Sequence, residues 1–352
     1  TYSPPPHPPL LLPPPYPPPI PFALSPLVMT DSAEIHTFST PWPTSCLDWC
    51  RSGGNPFRLG VSSFVRDYTN QFAVYEHNAN TGAFSTVGVA DHPYPVSRLR
   101  FSPDPTSPLI ASTGDYLRLW SCPLSSPSGI NLTAKLNNNK SSEFCAPLTS
   151  FDWNEAAPEL IGVASVDTTC TIWDINAGVA KTQLIAHDRE VYDIAFARGS
   201  DVFASVGADG SVRMFDLRAL EHSTIIYEQP DVPLVRIVWN KLDPNYLAAV
   251  PYNASKAIIL DVRVPSSPVT ELTGHAGPLN GAVWAPHSSA HIATAGEDSQ
   301  VLIWDLSNLP KPIDEAALAY DATSPVNSLT WSASQTDWVG ICFDDKVQLL
   351  RV

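Results

Sequence analysis

Apolar and polar residues alternate in short runs along most of the chain, as in Val212-Arg213-Met214-Phe215. Clusters rich in Gly, Asp, Asn and Ser separate the runs, as in Ala208-Asp209-Gly210-Ser211 and Gly296-Glu297-Asp298-Ser299. A period of two broken by such clusters predicts β-strands joined by hairpin turns.

The alternation repeats on a longer scale. An aromatic ends one strand-like run at Trp49, Phe101, Trp153, Phe196, Trp239, Trp284 and Trp331, and a bulky residue marks a later run at Tyr75, Trp120, Trp173, Phe215, Leu260, Trp304 and Leu350. The second series advances by 45, 53, 42, 45, 44 and 46 residues, close to the period of about 40–45 of a four-stranded propeller blade. Six of the seven offsets between the two marks are 19 to 21 residues, and the first is 26. The predicted fold is therefore all-β, a seven-bladed β-propeller over residues 30–352. In the gap from Trp120 to Trp173, Leu124 to Asn139 is a polar insertion expected as an exposed loop. The seventh unit reaches only its third strand, Val347-Gln348-Leu349-Leu350, and Glu34-Ile35-His36-Thr37-Phe38 has the alternation to supply the fourth. The ring is then closed by an N-terminal strand that completes the last blade and removes two exposed edges.

Residues 1–29 differ in kind, holding thirteen of the chain's 36 prolines. Proline lacks the amide donor for helix or central strand, so a solvated polyproline II tail is expected. Its Leu10-Leu11-Leu12 is too short for a signal-peptide core. The remainder has the apolar content of a globular chain, with 44% hydrophobic residues, ten Trp and thirteen Phe. A net charge of −15 repels phosphate backbones and anionic lipid, so neither direct nucleic-acid nor membrane binding is expected. The six cysteines show no CxxC spacing and are expected as reduced, mostly buried thiols.

Nothing in the chain argues for catalysis or a cofactor. His187, Ser205 and Asp209 have the composition of a hydrolase triad but lack a GxSxG elbow. His287 and His291 lie in a loop between strands, where a spacing of four does not align them for a metal. Cys46 and Cys50 lack further ligands, and no phosphate-binding glycine loop is present.

The sixth unit instead contains Gly274-His275, Thr294, Asp298 and Trp304-Asp305, which resembles the buried His, Ser/Thr, Asp and Trp tetrad of WD repeats. The fourth has His187, Ser205 and Asp209 with Phe215 in place of Trp, and the third has Asp167 and Trp173-Asp174 without a His at the expected place. These polar groups are expected to satisfy one another in a structural role. Units one, two, five and seven depart from the WD consensus.

Longer segments carry a narrower likeness: residues 137–154, 167–174, Thr182 to Val191 (TQLIAHDREV), Phe203 to Arg218 (FASVGADGSVRMFDLR) and Glu221 to Glu228 (EHSTIIYE). Over residues 34–352 the chain resembles the Transparent Testa Glabra group of plant WD-repeat regulators and its animal and fungal relatives. The resemblance implies a non-enzymatic, monomeric scaffold of cytoplasm and nucleus. Plant members join MYB and basic helix-loop-helix regulators, and animal members hold dual-specificity tyrosine-regulated kinases. Animal members are also proposed substrate receptors of cullin-RING ubiquitin ligases, which share an Asp-x-Arg box matched by Asp216-Leu217-Arg218 and Asp261-Val262-Arg263. Arg218 and Arg263 are thus candidates for a ligase adaptor, the alternative being a plain ion pair on the rim. For the propeller entrance the expected contact residues are Tyr94, Phe144, Arg189, Tyr192 and Arg236, because aromatics and Arg dominate interface energy.

Overall fold

The computed structural model describes residues 34–352 except 52–54, 79–80, 124–128, 140–141 and 143, together with the backbone of Leu27–Val28. Its secondary structure is entirely β in the described residues, arranged as seven antiparallel sheets. Each sheet is one blade. Blade 3 is representative, with Leu148–Trp153 innermost, then Leu160–Ser165, Thr169–Asp174 and Val179–Ile185 outermost. The inner strands of the seven blades, Thr44–Trp49, Arg98–Phe101, Leu148–Trp153, Val191–Phe196, Leu234–Trp239, Leu279–Trp284 and Ser328–Trp331, neighbour one another in a closed circle around a central channel. All run the same way, so the ring has an upper end where they start and a lower end where they finish.

The blades fit together through a size rule. The residue of each second strand opposite the penultimate inner residue is small in every blade: Gly60, Ala111, Gly162, Ala204, Ala248, Ala293 and Gly340. Bulky inner-strand residues of the next blade press on that spot. A Cβ added at Gly162 would lie 2.9 Å from Ile194 and 3.1 Å from Phe196, and one at Gly340 would lie 3.1 Å from Leu47. Close packing between sheets leaves no space for a larger side chain there.

The predicted closure is present. Ile35–Ser39 pairs antiparallel with Lys346–Arg351, in a register running from Ile35 opposite Leu350 to Ser39 opposite Lys346, and it forms the outer strand of blade 7. Its side chains bridge to blade 1, the Phe38 ring lying 4.8 Å from Tyr75 and 4.4 Å from Phe84, while His36 stacks on Trp338 within blade 7 at 5.1 Å.

Two expectations change. The insertion expected as an exposed loop contains Asn131–Leu136, which pairs with Leu117–Ser121 as the outer strand of blade 2; without it that sheet would expose an unpaired edge. Residues 124–128 of the same insertion lie outside the described residues, as does the proline-rich stretch 1–26. Leu27–Val28 forms a short parallel ladder with Leu318–Asp321, on the outer edge of blade 6.

A two-ended ring with a basic channel

Blade 6 forms the complete tetrad. His275 Nδ1 lies 2.9 and 3.0 Å from the Asp298 carboxylate oxygens, its Nε2 lies 2.8 Å from Thr294 Oγ1, and Trp304 Nε1 donates to the same hydroxyl at 2.9 Å. One assignment satisfies every group: indole N–H to hydroxyl, hydroxyl to imidazole, imidazole N–H to carboxylate. Burial lowers the pKa of His275, which favours the neutral ring that this relay requires. In blade 4, His187 lies 2.8 Å from Ser205 Oγ and 2.9 Å from Asp209. Burial of Asp209 is outweighed by His187, Ser211 and the Asp188 amide, which hold its carboxyl well below the usual range. These are the distances of a catalytic relay, yet Ser205 and Thr294 both show 0% exposure. Sealed hydroxyls cannot reach a substrate, so the groups tie the upper loops to the sheets.

Two partial versions escaped the sequence reading. In blade 3 the missing His is replaced by Asn138, whose Oδ1 accepts from Trp173 Nε1 at 2.9 Å. In blade 2, Trp120 Nε1 donates to Ser112 Oγ at 2.8 Å, and His92 Nδ1 reaches the Tyr94 carbonyl at 2.6 Å. Here the relay is broken, because the buried His92 Nε2 has no partner. Burial pushes the His92 pKa down to about 4. Unfolded chains take up a proton on His near pH 6.5 and this folded one only near about 4, so the unfolded state gains protons in between and stability falls as pH drops through that window, by ~3 kcal/mol. Melting curves should therefore move down steeply between these values for the natural chain and less so for His92→Gln. An equal fall in both would place the titration elsewhere.

The residues expected at the interface divide between the two ends of the ring. Tyr94, Phe144 and Arg189 lie in loops at the upper end, and Tyr192 and Arg236 lie on inner strands there. Phe144 is 83% exposed, and Tyr94 packs edge-on against the exposed Tyr68. Tyr192 and Arg236 share a depression of about 670 Å³ with Tyr252 and Glu297. Arg218 and Arg263 instead sit at the lower end, just past the third strands of blades 4 and 5. Each repeats the same geometry: Nε to Asp216 or Asp261 Oδ1 at 2.9 Å, Nη2 to Oδ2 at 2.6 Å, and the backbone amide to Oδ1 at 2.9 Å. The side chains are still 69% and 57% exposed, so the carboxylate poses the guanidinium without covering it.

Between the ends, the channel wall carries two sets of inter-blade bonds. Near the top, a side chain at or close to the start of one inner strand donates to a carbonyl at or close to the start of the next: Ser45 to Val96, Ser97 to Leu148, Thr149 to Val191, Asn280 to Val326 and Asn327 to Thr44, at 2.7 to 3.3 Å. The cycle breaks at the two junctions flanking blade 5, where the equivalent residues are Tyr192 and Val235. Lower down, Asp48, Asp152 and Asp193 accept from the amides of Phe101, Phe196 and Ile237 on the following blade, at 2.8 to 3.0 Å. Asp152 also takes an ion pair from Arg100 and one from Lys241 at 3.2 Å. Burial pushes the Asp152 carboxyl up, but these cations outweigh it and hold it below the usual range.

His287 packs edge-on against Trp331, and His291 Nδ1 bonds Ser288 Oγ at 2.7 Å. Five of the six free thiols are buried, Cys145 being half-buried. Burial drives Cys170 and Cys342 up to about 12, so neither is a thiolate nucleophile.

Two segments, residues 178–216 and 266–305, match the family described as WD domain, G-beta repeat. Each runs from the outer strand of one blade through the third strand of the next. The chain is 54% identical over 326 residues to the DDB1- and CUL4-associated factor 7 homologue of Dictyostelium discoideum, covering 92% of this chain and 100% of that protein. It is 38% identical over 338 residues to an uncharacterized WD repeat-containing protein of Schizosaccharomyces pombe, covering 86% and 76%. A WD repeat-containing protein of Saccharomyces cerevisiae is 37% identical over 324 residues, covering 81% and 60%.

Proposed function

From its membership of the WD-repeat family, the chain belonging with the DDB1- and CUL4-associated factor 7 homologue, we propose that this protein is a non-enzymatic scaffold that assembles protein complexes on the two ends of a rigid ring. The observation that carries this reading is the segregation of contact chemistry: exposed aromatics gather at the upper end, and a matched pair of posed guanidinium groups stands at the lower end. A closed ring holds both sets in fixed relation, as loops on a rigid scaffold require.

The upper end is assigned to client proteins, with Tyr94, Phe144, Arg189, Tyr192 and Arg236 as contacts. Protein kinases and MYB or basic helix-loop-helix regulators are the clients that the likeness to the Transparent Testa Glabra group suggests, in cytoplasm and nucleus. The lower end supports the second reading, substrate receptor of a cullin-RING ligase. It is favoured by the two Asp-x-Arg turns on adjacent blades and by the relative named for association with DDB1 and CUL4. Arg218 and Arg263 would then meet carboxylates on the adaptor subunit, which Arg does well at a desolvating interface.

Affinity purification from the native cell followed by mass spectrometry tests both assignments. Arg218→Ala with Arg263→Ala should lose the ligase adaptor while kinase or transcription-factor partners persist; Tyr192→Ser with Arg189→Glu should do the reverse. Recovery of the same partners by all three proteins would end the two-ended reading.

A further inference from the structure

The ring is acidic as a whole, with 35 Asp and Glu against 20 Lys and Arg. Its channel has the opposite balance. Arg51, Arg98, Arg100, Arg198, Arg236 and Lys241 line it, while the acidic groups beside them are Asp48, Asp152, Glu155 and Asp193. Several of these cations are already paired: Arg51 with Glu155 at 2.8 Å, and Arg100 and Lys241 with Asp152. Asp193 gives its oxygens to the backbone amides of Ile194 and Ile237, each at 3.0 Å.

That leaves the guanidinium groups of Arg98, Arg198 and Arg236, of which Arg98 and Arg236 stand on opposite arcs of the wall, in blades 2 and 5, and line the same enclosure. The Arg98 side chain has no hydrogen-bond partner among the described residues. Arg236 reaches only the carbonyls of Val235 and Asn280, at 3.2 and 3.3 Å. Arg98, Arg100 and Arg236 line one enclosure of about 70 Å³ in which Asp48 is the sole carboxylate. Burial lowers the Arg98 pKa, and Arg100 and Arg236 lower it further against the opposing pull of Asp193 and Asp152. An unpaired charge in such a place is costly, and a planar guanidinium fork matches the edge of an oxyanion. That enclosure admits several waters or one tetrahedral ion, and Asp48, Arg98 and Arg100 also line the wider channel of about 410 Å³ beside it. Arg236 also lines the upper depression, which gives a route in.

We propose that the channel binds a small free oxyanion of phosphate or sulfate type, held between the guanidinium groups of Arg98 and Arg236. Such an ion ties blade 5, where the upper hydrogen-bond cycle is broken, to the opposite wall of the ring.

The test uses the full chain exchanged into chloride and titrated with inorganic phosphate in the low millimolar range at constant ionic strength. The expected result is a saturable rise in Tm of about 3 °C, with matching heat in calorimetry. Arg98→Met and Arg236→Met should each abolish it, and Arg218→Ala, on the distant rim, should retain it. In chloride alone Arg98→Met should melt no lower than the natural chain, because it removes an uncompensated charge; a merely structural arginine would lower it. An equal phosphate response in every protein, or no response in the natural chain, overturns the proposal. Stabilisation by a glutamate-rich peptide without any by phosphate overturns it too, assigning the cations to a partner's carboxylate.

Discussion

A chain lacking residues 30–40 should melt about 10 °C or more below the full one. The deleted segment supplies the outer strand of blade 7, and its removal uncovers Val347 and Leu349, both fully buried. It also removes Phe38 from the cleft formed with Tyr75 and Phe84 and strips the stacked His36 from Trp338. Phe38 is half-buried, so its loss costs less than the ~3–5 kcal/mol of a fully buried Phe, and the freed edge of Lys346–Arg351 leaves a row of backbone groups unpaired. Beyond the strand, Thr40 donates its amide to the Asp345 carbonyl at 2.7 Å, so the deletion loosens the turn as well. Differential scanning calorimetry of the two proteins measures the effect. Coincident transitions would mean that blade 7 holds its place without the N-terminal strand.

The second large effect is expected from a single atom. Thr294→Val keeps the shape of the side chain but removes the hydroxyl that links Trp304 to His275. Both nitrogens then face an apolar methyl in a sealed site, and each buried unsatisfied group costs about 1–3 kcal/mol. A loss of about 2–5 kcal/mol in urea unfolding is expected. Ser205→Ala in blade 4 is the internal comparison. Phe215 stands where blade 6 has Trp304, so His187 and the weakly bonding Cys170 thiol lose a partner and the loss should be smaller. Equal losses at the two positions would show that the indole bond contributes nothing.

Much of the fold could be read from the chain because the aromatics that end the inner strands and the bulky residues of the third strands recur in all seven units, at a nearly constant offset in six of them. The N-terminal strand was legible for the same reason: an alternating segment stood unassigned beside a unit that lacked one. Legibility failed where loops vary in length. The tetrad hydroxyl and tryptophan are ten residues apart in blades 4 and 6, counting Phe215 as the Trp position, but eight apart in blade 2, so Ser112 and His92 fell outside the template. Asn138 comes from a loop with no repeat signal at all, and the polar character of Asn131–Leu136 concealed a solvent-facing outer strand. The small residues opposite the penultimate inner position, from Gly60 to Gly340, did carry a periodic signal that the aromatic series overshadowed. For the candidate contacts, the end of the ring that each occupies was not legible. Which end a loop occupies depends on strand direction, and the convergence of Arg98 and Arg236 exists only once the ring has closed.

That closure also bears on how the molecule is made. Ile35 and Leu350 face each other in the last ladder, so the pairing that completes blade 7 joins the start of the ring to its finish along the chain. Earlier blades can form from local hairpins as they emerge, but the final sheet must wait for the whole ring to be translated. A contact of such long sequence separation is slow to form. Until it does, the growing chain carries an unmatched strand at each extremity, a state open to association with other nascent chains.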